Sequence, residues 1–186
     1  DVNHIKNVLR MKVGEELSVS NGVDGKEYRC GIVSLDEECI TCELRFVKED
    51  GVELPSEVYL FQGLPKADKM ELIIQKAVEL GVHAVVPVST KRCVVKLDDK
   101  KAKSKIARWQ GIAEAAAKQS KRGVIPKVLP VMKFEKAVEF AAKQCDLVII
   151  PYENERGIEY AKQVLAKCST SKSIGIFIGP EGGFED

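Results

Sequence analysis

The sequence lacks most of the features that identify common enzyme and membrane-protein classes. No run of about 18 apolar residues, the length that spans a bilayer, occurs in it, so no transmembrane helix is predicted. The GxSxG motif of hydrolases, the HExxH motif of zinc proteases and the GxxxxGK[ST] phosphate loop are absent. The only two histidines, His4 and His83, have no obvious catalytic partner. These absences count against hydrolase, zinc protease and P-loop functions, and against a membrane partner.

The six cysteines do not indicate a secreted or metal-binding protein. The N-terminus, Asp1-Val2-Asn3-His4, has no basic start followed by an apolar stretch, so no signal peptide is expected. Several cysteines lie in apolar runs such as 145–150, which favours reduced, half-buried thiols in a cytoplasmic protein. Cys39 and Cys42 have CxxC spacing, but no second pair or nearby histidine completes a site. No metal is predicted.

Charge is concentrated in one segment of a nearly neutral chain. The net charge is +1, yet residues 91–127 hold twelve Lys or Arg against three acidic residues, a local charge of +9 that leaves −8 elsewhere. Such a segment indicates a polyanionic partner at one surface. The alternative is a solvated, lysine-rich helix face.

The two parts of the chain differ in pattern. Residues 1–55 contain short alternating strands separated by Asn21-Gly22 and Asp24-Gly25, which predicts a small antiparallel β-barrel. Residues 57–186 alternate short apolar strands with helical patterns, which predicts an α/β domain with a mostly parallel sheet. No helix follows the last strand, so we expect the chain to be part of a longer protein. The predicted helices of the second domain are 68–80, 101–119, 134–143 and 158–165, and its strands are 58–61, 84–88, 124–128, 147–150 and 174–178.

A glycine-rich segment is the first candidate site. Ile178-Gly179-Pro180-Glu181-Gly182-Gly183 follows a buried strand, and ligands of open α/β sheets bind beyond the carboxyl ends of strands. Glycines let a ligand approach the backbone closely. Glu181 could bind a ribose diol or an ammonium group but would repel phosphates, which favours a nucleoside or aminoacyl ligand. A plain Gly-Pro turn is the alternative.

Other candidate side chains follow neighbouring strands or end a helix. Tyr152 and Glu153 come after one strand, and Lys91 and Arg92 after another, so we expect all four at the same sheet edge. Trp109 falls on an apolar helix face and is expected in the core. Gln119, Lys121 and Arg122 end the long helix, where they could favour its dipole or bind an RNA backbone.

Four segments, taken in order, resemble the small-subunit (16S) ribosomal RNA uridine-N3 methyltransferase family of the knotted methyltransferase superfamily. They are His4-Ile-x-x-Val-Leu-Arg10-x-x-x-Gly14, Lys69–Val82 continuing to Pro87 and Arg92, Arg108–Pro126, and Ile178–Phe184. Each is weak alone, but the ordered set spans nearly the whole chain. Cys93 departs from the small hydroxyl residue that the family usually has, and the family's Leu-Arg-Thr-Glu-Thr-Ala-like segment does not occur. That segment completes the knot and the cofactor pocket, so the resemblance implies that this chain alone does not methylate and that the full-length protein does.

The resemblance implies a PUA-like barrel that helps to hold RNA and a homodimeric α/β domain with a trefoil knot. S-adenosylmethionine would bind in the knot, with residues 178–183, Tyr152 and Glu153 around it, and N3-methyluridine would be the product. Arg92 would supply positive charge near a flipped base, and Lys76 could assist. The residues expected to hold ribosomal RNA are His4, Arg10, Lys91, Gln119, Lys121 and Arg122.

Two other functions remain open from the sequence. A non-catalytic RNA-binding protein would use the same barrel and basic segment, bind RNA with steep salt dependence, and have no affinity for S-adenosylmethionine. An α/β enzyme acting on another nucleoside would use the glycine loop and would not need the basic segment.

Overall fold

A computed structural model of the chain describes residues 1–48, 53–95, 97–152 and 157–184. These residues form two compact units. The first consists of Asp1–Glu53 and Lys121–Val124, and the second of Leu54–Ser120 and Ile125–Asp186.

The first unit is built on an antiparallel sheet. A short π-helical turn, His4–Val8, precedes the strands β1 (Glu16–Val19), β2 (Glu27–Leu35) and β3 (Ile40–Lys48), which pair in the order β1-β2-β3. The predicted strands of this region are confirmed, and closure of the sheet into a barrel stays a prediction. Cys30 and Ile32 of β2 are its buried apolar residues.

A short distant segment completes this unit. Ser20 donates a hydrogen bond from Oγ to the carbonyl of Gly123 at 2.9 Å, and Gly22 forms a parallel bridge with Val124. A Cβ on Gly123 would lie 2.6 Å from the backbone of Gly25, so only glycine fits there. The sequence pattern had placed residues 121–124 in the domain 57–186. The contacts that assign them to the first unit join residues about a hundred positions apart in the chain. No local sequence pattern therefore indicates this assignment.

The second unit is a parallel sheet. Five strands are hydrogen-bonded in the order β6-β5-β4-β9-β8. The sixth strand, β7, also pairs with β5, further along it than β6 does. All of these pairings are parallel, as the sequence pattern predicted. The strands are β4 (Glu57–Gly63), β5 (Ala84–Ser89), β6 (Lys127–Val128), β7 (Met132–Lys133), β8 (Leu147–Ile149) and β9 (Ser173–Ile178).

Helices cover both faces of this sheet. Helices α1 (Lys69–Glu79) and α2 (Asp99–Gln119) contribute to one buried cluster, and α3 (Phe134–Gln144) to the other. Alternate residues of β4 supply the two clusters, since successive side chains of a strand point to opposite faces. Trp109 of α2 is buried, as predicted.

The last helix, α4 (Ile158–Cys168), has no buried residue. Ile158, Tyr160 and Leu165 expose more than half of their surface. Across the described ranges, no helix is long and apolar enough to cross a membrane.

Candidate active site

The ends of three adjacent strands bring the glycine-rich segment next to two other loops. Strand β4 lies between β5 and β9, and all three run in the same direction. Their carboxyl ends, Gly63, Ser89 and Ile178, therefore share one edge of the sheet, where open α/β sheets bind ligands. The glycine loop, residues 179–183, begins directly after β9.

Close packing fixes the base of the glycine loop. A Cβ on Gly63 would lie 2.6 Å from Cδ of Pro180, and a Cβ on Gly179 would lie 2.9 Å from backbone atoms of Gly183. Gly183 has a φ of 67°, and its N–H donates to the carbonyl of Pro180 at 2.8 Å. The loop thus folds back on itself, and Gly63 and Gly179 leave it just enough room.

Two side chains hold carbonyl groups of the loop. Gln62, only 4% exposed, donates from Nε2 to the carbonyl of Gly179 at 3.3 Å and to that of Gly63 at 3.0 Å. From the loop after β5, Arg92 donates from Nη1 to the carbonyl of Gly182 at 2.8 Å. Arg92 is exposed, so it is accessible to a substrate while it contacts the loop.

Glu181 connects the loop to the segment between β4 and α1. Its carboxylate oxygens accept the N–H of Lys66 at 3.1 and 3.3 Å, and Oε1 lies 3.2 Å from Nζ of Lys69. Its own N–H, the N–H of Lys66 and the nearby Lys69 ammonium lower the pKa of the Glu181 carboxyl. The carboxylate is therefore charged and already engaged by protein groups.

One side of the loop is open. Around a Cβ placed on Gly183, no atom of the described residues lies within 4 Å, and one on Gly182 would meet only the Arg92 side chain, 3.7 Å away. A ligand can therefore approach the backbone of Gly182 and Gly183 directly. This arrangement suits a nucleoside-like ligand better than a phosphate, because a carboxylate lies close by.

The remaining candidates for this edge are exposed, paired on α1 or outside the described residues. Tyr152 is exposed just beyond β8, Lys91 is exposed beside Arg92, and Glu153 lies outside the described residues. Lys76 forms an ion pair with Glu79 at 2.7 Å on α1. It is about 10 Å further along α1 than Lys69, given the helical rise of 1.5 Å per residue. The structure does not bring Lys76 to the glycine loop.

The candidates for RNA contacts divide into exposed and buried side chains. His4, Arg10, Gln119 and Lys121 are exposed. The side chain of Arg122 is instead only 4% exposed, and its Nε lies 3.1 Å from Oε2 of Glu53. Its Nη2 contacts the same carboxylate oxygen. Arg122 therefore stabilises the first unit and does not present its charge to RNA, which corrects the role expected from the sequence.

Three residues of the site were not identified from the sequence. Gln62, Lys66 and Lys69 contact the glycine loop from β4 and from the segment that follows it. Gln62 carries a usable signal, since it is a polar residue that directly follows the apolar run 58–61. The contact of Lys66 is made by its backbone, for which the side chain gives no indication.

Comparisons with known proteins find family models that match both parts of the chain. The RNA methyltransferase domain family matches residues 52–186, and the RNA methyltransferase PUA domain family matches residues 1–45. Ribosomal RNA small subunit methyltransferase E of Bacillus subtilis is 39% identical over 189 residues, which cover 100% of this chain and 73% of that protein. The chain belongs to the ribosomal RNA small subunit methyltransferase E family.

Two solved structures extend the comparison. The family member from Neisseria gonorrhoeae, bound to S-adenosyl methionine, is 30% identical with a TM-score of 0.77. A methyltransferase from Legionella pneumophila in complex with the bound cofactor SAM is 31% identical with a TM-score of 0.76. Both comparisons cover 100% of this chain and 73% of the other.

The tight fit of Gly179 leads to a stability prediction. We expect Gly179→Ala to lower the free energy of unfolding by about 1–3 kcal/mol, because the new methyl group must displace the backbone of Gly183. The control is Gly111→Ala, in the exposed interior of α2 with no described atom near the added Cβ, which should stabilise by about 0.5–1 kcal/mol. Urea denaturation measures both. Equal effects of the two changes would contradict the close packing of the loop.

Proposed function

We propose that this protein transfers a methyl group from S-adenosylmethionine to N3 of a uridine in small-subunit (16S) ribosomal RNA. The observation that carries the proposal is the similarity, over the entire chain, to the Neisseria gonorrhoeae family member bound to S-adenosyl methionine. The glycine loop at the sheet edge gives this similarity a physical basis. Its backbone at the exposed Gly182 and the half-buried Gly183 has room for a nucleoside with an aminoacyl group.

The residues at the sheet edge suit such a cofactor. The backbone of residues 178–183 would hold it, with Tyr152 and Glu153 contributing from beyond β8. When bound, S-adenosylmethionine supplies a methyl group on an electrophilic sulfonium. The protein must exclude water, orient the base and stabilise the negative charge that develops on the uracil as N3 loses its proton.

Arg92 is the side chain best placed to stabilise that charge. It is exposed at the edge of the site and is held there by the carbonyl of Gly182. A guanidinium has five N–H donors, so one bond to the loop leaves donors for a uracil oxygen. N3 lies on the base-pairing edge, so the target base must be unpaired or flipped out. Lys76, which forms an ion pair with Glu79 on α1 away from the glycine loop, is assigned no role in this step.

Ribosomal RNA, or the small subunit that contains it, is the proposed partner, in the cytoplasm. His4, Arg10, Lys91, Gln119 and Lys121 are exposed and would contact it, through their charges or polar groups. We further propose that the sheet of the first unit is part of a PUA-like barrel. We also propose that the second unit contains a trefoil knot and forms a homodimer. The exposed apolar residues of α4 support burial against another surface. The molar mass in solution checks the dimer.

Calorimetric titration of S-adenosylmethionine tests the cofactor, with protein expressed from the entire reading frame. We expect saturable binding with one site per chain. Tritium transfer from labelled cofactor to 16S RNA and to small subunits, followed by nucleoside analysis, should then yield N3-methyluridine. Folded protein that binds RNA but not the cofactor would instead favour a non-catalytic RNA-binding protein.

A further inference from the structure

Glu181 occupies the centre of the glycine loop, yet its carboxylate is bonded to another part of the protein. Both of its oxygens accept the N–H of Lys66, and one of them also pairs with the ammonium of Lys69. These partners lie just before and at the start of α1. The carboxylate therefore joins the loop after β9 to the segment after β4, 115 residues away in sequence.

The segment that Glu181 contacts has an unusual backbone. Ala67, between Lys66 and Lys69, has a φ of 52°, in the left-handed region that non-glycine residues seldom adopt. Such a conformation persists only where the surroundings enforce it. Glu181 contacts the chain immediately before and shortly after Ala67, so it is well placed to hold this conformation.

The contacts of Glu181 differ from the other contacts of the glycine loop in the part of the protein that they reach. Gln62 and Arg92 hold the carbonyls of Gly179 and Gly182 from β4 and from the loop after β5. Among the contacts of the described residues, those of Glu181 join the loop to the start of α1. A charge-assisted hydrogen bond to a backbone N–H is stronger than a neutral one and fixes geometry. The exposed ion pair with Lys69 adds less.

We propose that Glu181 is a positioning residue, which fixes the glycine loop to the Lys66–Lys69 segment so that the loop backbone is arranged for the cofactor before it binds. This inference rests on the proposed function for the identity of the cofactor. It differs from the role expected from the sequence, in which the Glu181 carboxylate itself binds the ribose or the ammonium group. Preorganisation of this kind raises affinity because the loop loses less conformational freedom on binding.

Two variants and their combination test the proposal. Glu181→Gln keeps the size of the side chain and removes its charge, and Lys69→Met removes the ammonium while leaving the N–H of Lys66 in place. Glu139→Gln is the matched control, because Glu139 forms an ion pair with Lys136 on α3, at 3.0 Å, outside the site. Thermal unfolding first establishes that each variant is folded.

Binding of three ligands distinguishes positioning from direct contact with the ligand's ammonium group, and the exchange measurement below distinguishes it from direct contact with the ribose. S-adenosylmethionine, S-adenosylhomocysteine and 5′-methylthioadenosine, which lacks the aminoacyl group, are titrated into each variant. We expect Glu181→Gln to weaken all three by a similar factor of about ten, which corresponds to about 1.4 kcal/mol. Lys69→Met should weaken binding of the three ligands less. The affinities of the double variant should lie close to those of Glu181→Gln, since the two residues act as a unit. Glu139→Gln should bind as the unsubstituted protein does.

Turnover gives a second reading of the same proposal. At saturating cofactor, Glu181→Gln should recover a kcat close to that of the unsubstituted protein, with the effect appearing in KM for S-adenosylmethionine. A loss of affinity confined to ligands with the aminoacyl group would overturn the proposal and assign Glu181 to the ligand's ammonium. Unchanged affinity for all three ligands would also overturn it.

Amide hydrogen exchange separates failure of this inference from failure of the proposed function. In ligand-free protein, Glu181→Gln should accelerate exchange in residues 179–184 and 64–69 and leave α3 unchanged. If the unsubstituted protein bound none of the three ligands while exchange responded in this way, the methyltransferase proposal would fail and the connection made by Glu181 would stand. Unaltered exchange in both segments would overturn the connection itself.

Discussion

Replacing Arg122 with alanine is expected to lower the free energy of unfolding of the first unit by about 3–5 kcal/mol, the cost of breaking a buried ion pair. The Arg122 side chain is 4% exposed and that of Glu53 is 23% exposed, so removing Arg122 leaves a largely buried carboxylate without this cation. The same carboxylate accepts the N–H of Val124 at 3.2 Å, so residues 121–124 should also loosen. Urea denaturation, followed by a probe in the first unit, measures the change.

Lys121→Ala is the control, because Lys121 is the exposed basic neighbour of Arg122. It should leave stability within about 0.5 kcal/mol, as is usual for surface substitutions. For RNA affinity we expect the opposite order, measured under conditions where both variants are folded. Lys121→Ala should weaken RNA binding more than Arg122→Met does. A stable Arg122→Ala protein with strongly reduced RNA affinity would show that Arg122 binds RNA after all.

Arg92→Ala is expected to reduce kcat for methyl transfer by about 10²–10³-fold, the usual effect of removing one group that stabilises developing negative charge. Affinity for S-adenosylmethionine should fall as well, though less, because the carbonyl of Gly182 loses its donor. Single-turnover rates at saturating RNA and cofactor, together with calorimetric titration, separate the two effects.

Lys136→Ala, which removes one positive charge from an exposed ion pair on α3, serves as the charge control. It should leave kcat unchanged. If Arg92→Ala kept a normal single-turnover rate with RNA saturating, Arg92 would be limited to holding the loop, and the developing charge would have to be stabilised by another group.

Much of the second unit could be predicted because its sequence patterns are local. The continuous apolar runs of β5 and β9 indicated buried parallel strands, and both lie inside the sheet. The two-residue strand β7 was missed, since two residues are too few to show a period. The π-helical turn at His4–Val8 was missed because such turns have no simple pattern.

The site was predicted as far as strand ends could identify it. The glycine loop and Arg92 both follow buried strands, and they do meet at one edge. The partners of Glu181 could not be predicted, because one is a backbone N–H whose direction depends on the left-handed conformation of Ala67. Arg122 was misassigned for a similar reason. Nothing near it in sequence indicates that Glu53, 69 residues earlier, would bury and neutralise it.

The position of β4 beside β9 has a consequence for synthesis on the ribosome. Gln62 and Gly179, which are bonded at the base of the loop, are 117 residues apart in sequence. Strand β4 emerges early, but its neighbour β9 and the glycine loop emerge only after α1, α2 and α3 have been made. A nascent chain therefore cannot assemble the loop until nearly all of the second unit has left the exit tunnel. Until then the edge of β4 that pairs with β9 stays unpaired, and unpaired strand edges are prone to aggregation.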